Sequence, residues 1–180
     1  MGRYVALLRG INVGGKNPIR MAALKACFEE QGFDDVATYI ASGNVLFSAS
    51  GSAGALTRAI ERTLAATFAY PASIVLRSRE QMRAVVEGAP RGFGARPKAY
   101  RYDVWFLKEP LTAEEAIEAV PTREGVDRIW AGEGVLYTAR LAARAAESRT
   151  TRVIGTPAYQ SMTIRNWNTT TKLAALLGAP

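Results

Sequence analysis

Histidine is absent from the 180 residues, and cysteine occurs once, at Cys27. These two scarcities remove whole classes of chemistry. Without histidine no side chain has an ordinary pKa near neutrality, so histidine acid–base catalysis and histidine-ligated zinc are excluded. A single cysteine cannot form an internal disulfide, and nothing points to an oxidising compartment. No apolar run is long enough to cross a bilayer, and Arg9 follows Leu7-Leu8 at once, breaking the pattern of a secretory signal. The expected compartment is the cytoplasm, with no membrane partner.

What is present is a foldable chain. Hydrophobic residues make up 48% of it, enough to bury a core rather than stay disordered. Its length fits one domain or two small subdomains. The formal charge is +7, and the excess gathers late. From Val135 onward Arg140, Arg144, Arg149, Arg152, Arg165 and Lys172 face Glu147 alone. Such a cluster attracts phosphates, although a solvated arginine-rich surface gives the same count.

Breakers and periodicity divide the chain into a regular order. Tyr4 to Leu8 reads as a buried strand. Asn17-Pro18 reads as a helix start, followed by an apolar stripe of Met21, Leu24, Cys27 and Phe28 that ends at Gly32. Val36 to Ala41 and Val45 to Phe47 flank Ser42-Gly43-Asn44, a hairpin signal. Ser50 or Ser52 opens a second helix with Leu56, Ile60, Leu64 and Phe68, and Ile74 to Leu76 makes a fourth strand. The order is βαββαβ.

The rhythm then repeats. A helix near Gln81 to Glu87 and the Gly- and Pro-rich "GAPRGFGARPK" form a connector. Tyr100 to Leu107 is the strongest strand. Thr112 and Glu115 form a capping box. Val126 to Trp130 and Val135 to Thr138 flank a second hairpin. Leu141 to Arg152 reads as a helix, "SMTIR" as a strand, and Thr169 to Leu177 as a terminal helix. The expected fold class is α+β: two ferredoxin-like subdomains with antiparallel sheets, residues 1–78 and 79–180, plus an added C-terminal helix.

"RGINVGGKN" has the outline of a nucleotide-binding phosphate loop, with Gly10, Gly15 and Lys16. It fails the chemical test. Asn17 stands where a hydroxyl must hold magnesium, and Pro18 pushes Asn17 out of the helical region. The alternating hairpins also disagree with a parallel sheet, so nucleotide hydrolysis of that kind is not expected. A flexible turn explains Gly14-Gly15, yet Arg9, Asn12 and Lys16 supply more polar groups than a turn requires. In a βαββαβ sheet the end of strand one lies beside the start of strand three. "RGINVGGKN" and "SGN" therefore share a rim.

Other chemistry is thin. Cys27 falls on an apolar helix face and reads as a core thiol. Asp103 shares a strand face with Trp105; it reads as the partner of a neighbouring arginine or, more boldly, as a lone general base. "TIRNWNTTTKL" runs from strand into helix, with Asn168 or Thr169 as the cap. It gathers Arg165, Asn166, Asn168 and Lys172, donors suited to phosphate, a carboxylate or a base edge. No residues point to a metal or a cofactor.

"LLRGINVGGKN", "TYIASGNVLF" and "TIRNWNT…KL" together resemble the bacterial family catalogued as domain of unknown function 1697, across essentially the whole chain. Ala41 departs from the polar residue relatives carry there. The resemblance implies paired ferredoxin-like subdomains and supplies no activity, cofactor or catalytic residue. Three readings follow. The first is a binding protein for an anionic ligand, a nucleotide or nucleic-acid phosphate. It would use Arg9, Gly10, Asn12, Gly14, Gly15, Lys16, Ser42, Gly43, Asn44, Arg165, Asn166, Asn168 and Lys172. The second is a structural or partner-binding module, monomer or homodimer, whose motifs are turns and caps. The third is a small histidine-free enzyme.

Overall fold

Alternating apolar residues and well-placed caps build two four-stranded antiparallel sheets. A computed structural model describes residues 1–178. The chain divides into two compact units: Met1–Met82 together with the stretch from Leu173, and Arg83–Lys172.

The first unit runs β1 (Gly2–Leu8), α1 (Met21–Glu29), β2 (Asp34–Tyr39), β3 (Asn44–Ala49), α2 (Ala53–Phe68) and β4 (Ile74–Ser78). Its strand order is β2-β3-β1-β4, with all ladders antiparallel. The stripe Leu56, Ile60, Leu64 is buried on α2, and Leu24, Cys27 and Phe28 are buried on α1. Phe28, Phe33 and Phe47 meet with ring centres 4.7 to 5.9 Å apart. Each fully buried side chain of this size contributes about 1.5–3 kcal/mol of transfer free energy. Ser52 caps α2 by accepting from the Ala55 N–H.

The expected start of α1 is corrected. Asn17 lies at φ +46, in the left-handed region, and α1 begins only at Met21 after extended Arg20. The cause is Ile19, which is buried and gives its N–H to Asn12 Oδ1 instead of to a helical turn.

The second unit comprises α3 (Arg79–Glu87, which begins at the end of the first), β5 (Tyr100–Leu107), α4 (Ala113–Ala119), β6 (Asp127–Gly132), β7 (Val135–Leu141), β8 (Met162–Asn166) and the start of α5 (Trp167–Gly178). The strand order, β6-β7-β5-β8, repeats the first sheet. Thr112 and Glu115 form the reciprocal capping box on α4. One sheet face, with Trp105, Leu107, Leu136 and Met162, packs on Ala113 and Ala116 of α4. On the other face Phe93, from the Gly-rich connector, meets Tyr102, Tyr137 and Trp167 edge-on at 4.9 to 5.4 Å.

Two expectations change here. Leu141 to Arg152 is not an α-helix: residues 142–161 form three short 3₁₀ turns, Ala142–Glu147, Thr150–Val153 and Ala158–Ser161. Ser148 is extended at φ −58, ψ 142, its hydroxyl engages Thr150, and the Arg149 N–H is taken by Asp127. Hydroxyl groups and a distant carboxylate thus claim the groups an α-helix would need. The cap of α5 also moves: Asn166, not Asn168 or Thr169, accepts from the Thr169 N–H at 2.8 Å.

Candidate functional site

The sequence-nominated residues fall into both units. In the first, β1 leads into a loop whose tip is Val13 to Lys16. Gly14 and Gly15 both have positive φ (58° and 75°), and the Lys16 N–H donates to Val13 O, a tight hairpin turn. Asn12 pins the loop: its Nδ2 donates to Ile19 O and Ala41 O, and its Oδ1 accepts from the Ile19 N–H. Asn17 Nδ2 donates to Gly10 O. On the neighbouring turn Asn44, fully buried, donates to Tyr39 O and Ser42 Oγ. Leu8 N–H donates to Gly43 O, and Arg9 N–H to Ser73 O. The two motifs share one rim, and their asparagines bond to main-chain groups and the Ser42 hydroxyl of that rim.

In the second unit Arg165 is buried in β8, paired in register with Val104, and donates to Thr163 Oγ1 and Ile164 O. Burial pushes its guanidinium down to about 10, so it stays cationic at neutral pH. Lys172 is exposed on α5. Asn166 and Asn168 differ from these two: they line a pocket.

That pocket arises from the register. In β5, β7 and β8 the residues Asp103, Thr138 and Asn166 stand side by side, and two residues along Arg101 pairs with Arg140. Successive residues of a strand alternate faces, so Asp103, Trp105 and Arg101 share one face. The Trp105 end of this face is sealed by α4, and the Asp103 end is covered only by the 3₁₀ segment. Two pockets open there. One, of about 240 Å³, lies among Trp105, Thr138, Thr150, Val153, Ile154 and Tyr159. The other, of about 350 Å³, lies among Tyr100, Arg101, Tyr102, Asn166, Trp167 and Asn168. Asp103 and Arg140 line both, so the two pockets share that wall and together make one groove, whose second part reaches round to Tyr102 and Trp167 of the Phe93 face.

The junction is electrostatically unsettled. Burial raises the Asp103 carboxyl above the ordinary aspartate value, opposed by the charges of Arg140 and Arg101. Among the described residues none donates to that carboxylate, and it forms no ion pair. The arginine pairing expected from sequence is therefore a longer-range attraction. Arg140 Nε is buried without a hydrogen-bond partner. Unmatched polar atoms of this kind are rare in folded proteins and call for an explanation.

The family described as "protein of unknown function (DUF1697)" matches residues 1–137. The chain belongs to the DUF1697 family. A solved structure titled as the conserved bacterial protein SP0830 from Streptococcus pneumoniae is similar to this DUF1697 protein at 28% identity. The match covers 98% of each chain with a TM-score of 0.82. No curated protein matches. In this DUF1697 protein, among the described residues, no helix is long and apolar enough to cross a membrane.

Sequence reasoning named Asp103, Asn166 and Asn168, counted Arg140 only within the basic C-terminal cluster, and did not single out Arg101 or the threonines. The signal for Arg140 was available: Leu136, Thr138 and Arg140 continue the alternation of β7 onto the Asp103 face.

The Asp103 environment makes a test in the ligand-free DUF1697 protein. Its folded pKa exceeds the unfolded value, so the folded state holds the proton more tightly, and stability falls as pH rises through that window. At neutral pH the ionised carboxylate is a cost. Asp103→Asn is expected to raise Tm by about 2 °C or more at pH 7, and by less near pH 4. An unchanged or lowered Tm in scanning calorimetry at pH 7 would show that the two arginines already compensate the charge.

Proposed function

We propose that the protein binds a small anionic ligand, of the nucleotide or phosphate class, in the groove of the second unit. Arg140 and Arg101 are the cationic contacts, and Asn166 and Asn168 the neutral donors. The observation that supports this most is the junction itself: a guanidinium with a buried, unpartnered Nε opening onto two pockets. Arginine donates through a planar fork that suits phosphate or carboxylate. Asn166 uses only its Oδ1 in capping α5, which leaves its Nδ2 to donate into the groove.

The first-unit motifs fit the structural reading better. Asn12 and Asn44 direct their side-chain donors to main-chain and hydroxyl acceptors of the same rim. Their role is to hold the loop and hairpin together.

Calorimetric titration with inorganic phosphate and nucleoside monophosphates tests the groove. Wild-type protein is expected to bind, and Arg140→Ala to weaken binding at least tenfold, about 1.4 kcal/mol. Equal affinity in the two proteins would remove Arg140 from the site. Binding of single-stranded RNA no tighter than non-specific, without a salt slope, would eliminate the polynucleotide version.

A further inference from the structure

The arginines explain how the groove attracts an anion, but not why an aspartate sits between them. Asp103 lowers the positive potential at the place where a phosphate would be held. For a purely anionic ligand that is a defect. The carboxylate has no donor among the described residues, and the cross-strand hydroxyl of Thr138 donates to the main-chain oxygen of Asp103 at 3.4 Å instead. A bound molecule that brings hydrogen-bond donors to the half-buried Asp103 as well as negative charge to Arg140 would match both groups.

The two pockets divide these demands. The pocket beyond Asp103 is walled by Trp105, Val153, Ile154 and Ile164, with hydroxyls from Thr138 and Thr150. That lining suits a ring with a polar edge. The pocket on the other side offers Arg101, Asn166 and Asn168, a set rich in donors and suited to phosphate oxygens. Asp103 and Arg140 lie at the wall the two pockets share, within reach of both.

Resting on the reading of the groove given above, we propose that its occupant is a guanine nucleotide, whose base presents N1–H and N2–H to the Asp103 carboxylate while its phosphate lies on Arg140 and Arg101. The choice of base follows from donor counting. Guanine has two adjacent donors that match the two carboxylate oxygens. Hypoxanthine lacks the second donor. Adenine turns an acceptor nitrogen toward the carboxylate beside its amine, and uracil flanks its one imide N–H with two carbonyl acceptors. Once a base covers the half-buried Asp103, a carboxylate left unmatched or facing an acceptor loses the solvent that served it and is penalised.

Calorimetric titration of the full chain with guanosine, inosine, adenosine and uridine monophosphates, with inorganic phosphate and with leucine, tests this. Guanosine monophosphate is expected to bind at least tenfold tighter than each of the others. In Asp103→Asn, whose amide sets a donor against N2–H, the preference for guanosine over inosine monophosphate is expected to vanish or reverse. Equal binding of all four nucleotides would overturn the assignment of Asp103 and leave the anion groove standing. Binding of leucine without any nucleotide would replace the occupant with an ammonium–carboxylate zwitterion. Absence of binding by every probe, phosphate included, would remove the groove reading and this inference with it. An unaltered guanosine-to-inosine ratio in Asp103→Asn would also overturn the proposal, since the wild-type preference would then come from another residue.

Discussion

Alanine at position 43 is expected to destabilise the protein by roughly 2–5 kcal/mol, combining a left-handed backbone cost with overpacking. Gly43 sits at φ +78, and a Cβ there would lie 2.6 Å from Ile11 Cδ1 and 2.9 Å from Leu8 Cβ. Both neighbours are 1% exposed and have no room to retreat. The Gly43 carbonyl also accepts from the Leu8 N–H, so the turn cannot swing outward without breaking the join between the two first-unit motifs. Gly15→Asn is the matched control. Gly15 has φ +75 but nothing within 4 Å of a Cβ, and asparagine tolerates this region. In urea denaturation the Gly43→Ala midpoint should fall far below that of Gly15→Asn, with the slope unchanged. Similar midpoints would show that backbone conformation, not the Ile11 contact, decides the position.

Asp127→Ala is expected to cost about 1–3 kcal/mol by removing the shared acceptor of two part-buried amides, and to act on the groove. Asp127 is buried in β6, and its Oδ2 accepts from the Arg123 and Arg149 N–H groups, both at 2.9 Å. The second bond ties down the 3₁₀ segment that carries Thr150, Val153 and Ile154, one wall of the groove. Part of the loss is offset, since Asp127 Oδ1 is buried without a partner and its removal relieves a cost. Hydrogen exchange is expected to speed up over residues 142–154 before the sheet is affected, and nucleotide affinity to fall in parallel. Asp127→Asn, which keeps an acceptor, should recover part of both. Exchange accelerated evenly across both units would mean that Asp127 supports global stability rather than the wall.

The two variants mark where sequence reasoning ran well and where it stopped. β5 was readable to the residue, because its Tyr100–Leu107 run carries aromatic and β-branched residues between clear breakers. The capping box of Thr112 and Glu115 was equally plain, since both partners lie within one helical turn. The stripe of α2 depends only on a repeat of 3.6 residues. The chain order alone then implied two antiparallel sheets with hairpins in matching places.

The groove was different. Residues 141–152 carry enough alanine to read as a helix. They fail to form one because Asp127, more than twenty positions earlier, captures an amide of that stretch. Where that helix was expected, two short turns leave the polar end of the sheet face open. Asp103 could be seen as a carboxylate on a strand. That Arg140 would stand beside it, unpaired at Nε, depended on the register of β5 against β7.

By itself the sequence determined what local physics controls: which segments are strands or helices, their order, their caps, and the exclusion of histidine and disulfide chemistry. Only the tertiary structure decided that Asn12 and Asn44 hydrogen-bond to neighbouring main-chain and hydroxyl oxygens while Asp103, Arg140, Asn166 and Asn168 line pockets. The reason is range. Propensity and periodicity act across a few residues, whereas an unmatched charge exists only once strands from distant parts of the chain have settled into register and every other partner has been taken.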